Sequence, residues 1–189
     1  MLTATYSLVA ITAEQEKSRR LFGRVQQFVE ASWRDLRSID FAPLEAGFQR
    51  VLQFDQFLRN RKIEQILIPA LRGLSREADQ LIAEFDSLAA HARRLLQGAA
   101  SQLAARADFT RGQAGLVFEA MQAYCSHIGS RLRLEEQSLL PLARRLLSME
   151  DWFRLASEFL SRDERRSRRL PASPPVRPPE HARHFPELR

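Results

Sequence analysis

The chain has 189 residues, a net charge of +6, 44% hydrophobic content and only 7 glycines, enough to bury one sizeable core and too little for two independent ones. A single cysteine, Cys125, excludes an intramolecular disulfide and points to a reducing compartment, the cytoplasm. The N-terminal MLTATYSLVAITAEQ lacks a basic stretch before its short apolar run, and nowhere do about 20 apolar residues follow one another, so neither a secretory leader nor a membrane span is expected.

Richness in Leu, Ala, Arg, Glu and Gln favours helix, and almost no stretch alternates apolar and polar residues as a strand would, so the expected class is all-α. The first helix is predicted over about residues 6–31, with Leu8, Ile11, Phe22 and Val29 along one side. The second starts near Pro43, as a first-turn proline would, and reaches about Leu71, closed by Pro69. The third begins at Ser75, with Glu77 and Asp79 in its first turns, and continues to Gly98. The fourth opens on Thr110 with Gln113 three residues on, a capping-box pattern, and extends to Leu147 with a kink at Pro141. Ser148 then caps a short amphipathic fifth helix, MEDWFRLASEFL.

After Leu160 the composition changes. Residues 161–189 hold 8 Arg against 4 acidic residues and six of the nine prolines, and they are predicted to be a disordered basic tail. The expected organisation is therefore a helical unit at 1–160 followed by that tail at 161–189. Four long helices joined by fairly short links carry the pattern of an up-down four-helix bundle.

One segment occurs twice. RNRKIEQILIP (Arg59 to Pro69) and RLRLEEQSLLP (Arg131 to Pro141) agree at six of eleven positions without a gap. At 100° per residue, the fourth helix turns His127, Arg131 and Glu135 inward with Val117, Tyr124 and Ile128. The second turns Asp55 and Arg59 inward with Phe48, Leu52, Ile63 and Ile66, and leaves Glu64 facing out. Each copy thus places an arginine within an apolar face one turn from an acid, and buried charges need partners. An interior network of Asp55, Arg59, Arg131 and Glu135 is expected.

IEQILIP, EEQSLLP and the segment DSLAAHARRLL (Asp86 to Leu96) together resemble the hemerythrin-like, HHE cation-binding bundles over roughly residues 6–160. The resemblance implies a four-helix bundle with a non-haem iron site. Carried over position by position, the ligands fall near Gln15, on Arg59 and Ile63, on His91, and on Arg131 and Glu135. Of these, His91 and Glu135 keep ligand chemistry, and arginine cannot coordinate because its guanidinium stays protonated. A usual iron site needs about three imidazole or carboxylate ligands.

The reading that follows is a bundle with a degenerate metal site, no cofactor and a non-catalytic regulatory or protein-binding role. No nucleophile–base arrangement, glycine-rich phosphate loop or CxxC pair suggests an enzyme. The alternative keeps iron on His91 and Glu135, with His127 or Asp55 completing the set, for oxygen or nitric-oxide sensing or iron handling as in the family. A third reading is weak nucleic-acid binding through the basic tail, although no groove-reading or aromatic pattern accompanies it. Cys125 is read as a small buried hydrophobe.

Overall fold

The computed structural model describes residues 2–34, 41–104 and 110–169, and among them every regular element is helical. These are α1 (Leu2–Arg34), α2 (Ala42–Arg59), a π-helical turn (Ile63–Leu67) leading into α3 (Ile68–Leu71), α4 (Arg76–Ala104), α5 (Arg111–Leu134), a second π-helical turn (Glu135–Leu139) leading into α6 (Leu140–Leu146), and α7 (Met149–Arg169). Helix α4 lies along α5, while α1 packs on α2, α5 and α7. No described helix is long and apolar enough to cross a membrane.

The starts follow local chemistry. Thr110 and Gln113 exchange side-chain and backbone hydrogen bonds in a full capping box at the head of α5. The Ser75 hydroxyl accepts from the Ala78 amide ahead of α4. Ser148 and Asp151 make a similar reciprocal pair before α7, and Asp151, hydrogen-bonded to Ser148, is held below its usual carboxylate range. Gly73 has φ of 80°, a left-handed turn that lets the chain reverse between α3 and α4 while its amide donates to Asp79.

The expected single second helix is two pieces. The amides of Asn60 and Arg61 fall back to carbonyls three residues earlier, at Phe57 and Leu58, a tightened end that stops α2 at Arg59. The chain then restarts at Lys62, and Glu14 of α1 accepts from the otherwise orphaned amides of Lys62 (2.8 Å) and Ile63 (3.3 Å). Each π turn ends just before a proline. Pro69 and Pro141 have no amide to give and their rings crowd the carbonyl four residues back. The widened turn answers this, with Ile68 donating to Ile63 and Leu140 to Glu135, five residues back. The two turns occupy equivalent places in the repeated segment, so the expected kink at Pro141 is a bulge that its twin shares.

The fifth helix is longer than expected. Helix α7 runs through Leu160 to Arg169, so the first nine residues of the expected disordered tail are helical and the boundary at 160 falls inside an element. Ser161 and Arg165 donate back to carbonyls one turn earlier, and Lys62 and Gln65 hold Asp163 and Arg162. A change to charged residues does not stop a helix; proline does, and the next is Pro171. Residues 170–189 of the expected tail lie outside the described residues.

Buried apolar side chains form two separate clusters. One gathers Val25, Val29, Phe48, Phe54, Leu58, Met121, Tyr124, Ile128 and their neighbours. The other gathers Ile11, Ile63, Leu67, Phe85, Leu139, Trp152, Phe159 and theirs. Along α1 the change from one to the other falls at Ser18, along the second segment at Arg61, and along the fourth at Glu135, all three of them buried. A polar layer divides the core.

Candidate functional site: a buried ionic layer

Arg61 and Glu135 make the centre of that layer. Glu135 is fully buried and Arg61 is 1% exposed. Arg61 Nη1 donates to Glu135 Oε2 at 2.9 Å and its Nη2 donates to the other carboxylate oxygen, a two-pronged match of planar groups. The same Nη2 reaches Glu64 Oε1 at 3.0 Å, Nη1 reaches the Ser18 hydroxyl at 3.3 Å, and Nε reaches the Leu58 carbonyl at 3.4 Å. Glu64 then passes its second oxygen to Arg131 Nη2 at 2.5 Å, and the Arg131 guanidinium lies 5.4 Å over the Phe85 ring. Arg131 Nε, also enclosed, has no hydrogen-bond partner among the described residues.

Two guanidinium ions thus meet two carboxylates, and the layer has no net charge. Burial draws the Arg61 guanidinium down, but the facing Glu135 and then Glu64 more than offset it and hold Arg61 above its ordinary value. Burial also lifts the Glu135 carboxyl, and here Arg61 only draws part of the shift back. Below this layer a second polar contact joins Tyr124, whose hydroxyl donates to Asp55 at 3.3 Å; burial first, and the Asp55 charge second, raise the phenol well above its ordinary range.

Of the expected network, Asp55, Arg131 and Glu135 are buried and Asp55 does pair with Arg59, but Arg59 is not interior and the expected Arg131–Glu135 pair is replaced by others. Arg131 and Glu135 are interior, but Arg131 binds Glu64 while Glu135 binds Arg61. Arg59 is a surface residue, its side chain 55% exposed, and it ties Asp55 to the outside of the layer at 3.0 Å. Glu64, expected to face out, faces in. Arg59 precedes the interruption at Asn60 and Arg61, so its exposure is a matter of phase within α2, whose buried face runs through Val51, Asp55 and Leu58 and leaves Arg59 about 100° beyond it. Past the interruption Ile63 and Ile66 are buried as expected, and Glu64 reaches in beside them to Arg61 and Arg131. In the fourth segment no such break precedes Arg131, and there the phase is right.

Of the candidate metal ligands only His91 and His127 come together, away from Glu135 and Asp55 as a set. His91 is exposed on α4, its Nδ1 hydrogen-bonded to the Ser87 carbonyl, and its ring stacks on His127 of α5 with centroids 5.6 Å apart. Glu135 is enclosed by Arg61, and Asp55 is engaged by Tyr124 and Arg59. Among the described residues no three His, Cys, Asp or Glu side chains converge as a metal site would require. The donor set does not fit an iron pair either: where cations would sit, two guanidinium ions already occupy the carboxylates. Cys125 is buried, and its thiol is pushed up to about 12 by burial and by the Glu30 charge.

Arg61 and Glu64 are the residues that helical periodicity misses. Asn60 is the available signal, since asparagine favours helix ends and a residue just past an end belongs to neither helical face. Compared with known proteins, the chain matches no family model, no curated protein and no solved structure.

Proposed function

We propose that this chain is a hemerythrin-like up-down four-helix bundle in which an ion-pair layer stands where the family's metal centre would be, and that it works as a non-catalytic regulatory or protein-binding module in the cytoplasm. The observation that carries the reading is the two-pronged Arg61–Glu135 pair at the midpoint between two apolar clusters, built from the repeated segments that resemble the family's ligand helices. A buried pair of this kind adds little net stability, since desolvation consumes most of the attraction. Its worth lies in specifying which turns of the helices face each other.

Iron loading tests the reading. Untagged protein supplemented with ferrous iron and desalted should retain well under one equivalent by elemental analysis. Stoichiometric iron that disappears on Glu135→Gln substitution would overturn it. The iron-holding alternative needs His91 and Glu135 in one place, and the exposed stack of His91 on His127 gives it no support.

A further inference from the structure

A groove of about 800 Å³ opens between α1, the end of α2 and the last turns of α7. Its floor is apolar, with Ala10, Ala13 and Phe57. Its rim is cationic, with Lys17, Lys62, Arg162 and Arg165 against two acids, Glu14 and Asp163. Both acids already have partners: Glu14 accepts the backbone amides of Lys62 and Ile63, and Asp163, half exposed at the rim, accepts from Lys62. Among the described residues, Lys17 meets only the Phe57 face, at 5.4 Å, and Arg165 only a carbonyl of its own helix.

The apolar floor continues up α1. Tyr6, Val9, Ala13 and Lys17 fall on one stripe at helical spacing, and Val9 is 61% exposed. An apolar strip with surplus cations along its edge matches one kind of occupant. We propose that this groove docks an acidic amphipathic segment of another protein, whose apolar side chains lie on Ala10, Ala13 and Phe57 while its carboxylates meet Lys17, Arg162 and Arg165. Helix-in-groove recognition uses this division, with apolar anchors for burial and rim charges for orientation. A nucleic-acid strand fits less well, since its phosphates would meet the cations and leave the apolar strip uncovered. The inference concerns the outer surface and holds whether or not the interior descends from a metal site.

The test uses the full chain and a fluorescein-labelled peptide of about 14 residues, with Leu at every third or fourth position and Glu on the opposite face. Anisotropy should rise saturably at micromolar protein. Lys17→Glu with Arg165→Glu should weaken binding at least about tenfold with unchanged circular dichroism, whereas the same reversal elsewhere, Arg94→Glu with Arg111→Glu, should leave it unchanged. A peptide with Leu replaced by Ser should also bind at least about tenfold more weakly, a comparison that needs no variant protein. Absence of binding, equal loss in both reversal variants, equal binding of the Ser peptide, or tighter binding of a single-stranded DNA of matched charge would each overturn the proposal.

Discussion

Arg61 and Glu135 lie 74 residues apart in sequence and share two parallel hydrogen bonds in a core where neither meets solvent. Breaking a buried pair from one side strands the other charge, which typically costs about 3–5 kcal/mol. Arg61→Ala should therefore lower unfolding free energy by that amount in urea titrations. Arg133→Ala, at the equivalent place in the other copy but exposed, should change it by no more than about 0.5 kcal/mol. The double replacement Arg61→Leu with Glu135→Leu should recover much of the loss, because no orphan charge remains. If the two single alanines prove equally harmless, Arg61 is not interior.

Glu14 tests the restart of the second segment. Its carboxylate serves two amides on a neighbouring helix as a cap residue would on its own. Glu14→Ala should cost about 1–2 kcal/mol, the range of lost caps, and should speed amide exchange at Lys62 and Ile63 ahead of their neighbours. Uniform exchange after the substitution would show that the restart does not depend on α1.

Cys125 and Tyr124 set the alkaline limit. Both have their neutral forms favoured by the fold: the Cys125 contribution is fully present below the ordinary thiol value of 9.0 and fades as pH climbs toward about 12, and that of Tyr124 begins to fade only above the ordinary phenol value of 10.0. Melting temperature should hold up to about pH 9 and then fall, and Cys125→Ser should flatten part of that fall. A thiol reagent at pH 8 should modify native Cys125 only at the rate of opening, and fast modification would contradict its burial.

The last turns of α7 can be removed. A chain ending at Leu160 loses the Lys62–Asp163 pair and the Arg162–Gln65 bond that a chain ending at Arg169 keeps. Exposed contacts of this type contribute about 0–1 kcal/mol each, so the shorter chain should melt about 2–4 °C lower. Coincident melting curves would show that the helix continues past Leu160 without adding stability.

Much of the fold is legible in the amino-acid sequence. Capping chemistry marks Ser75, Thr110 and Ser148 as helix starts, and the apolar period of the fourth segment places Arg131 and Glu135 inside. The second segment resists because periodicity describes unbroken helices. At Asn60 and Arg61 the hydrogen bonds tighten to three-residue steps, then widen to five before Pro69, so a count along α2 assigns Arg61 to no face, while Arg59, still within α2, lies just beyond the buried edge at Asp55 and Leu58. Pro69 and Pro141 do announce the wide turns, since each removes a donor at the same place in the repeat. The partnership of Arg61 with Glu135 has no local mark at all, because it depends on how two distant helices face one another.

The polar layer has a kinetic consequence. Because the buried apolar side chains on its two sides do not merge, a methylene lost from Phe48 or Met121 leaves the packing around Phe85 and Trp152 intact, and the reverse holds as well. Opening fluctuations can then be confined to one side, with the ends of α1 and α2 loosening while α7 stays seated on Ile11 and Ile63. Such a molecule has two places to come apart, and four mutually cancelling charges stand between them.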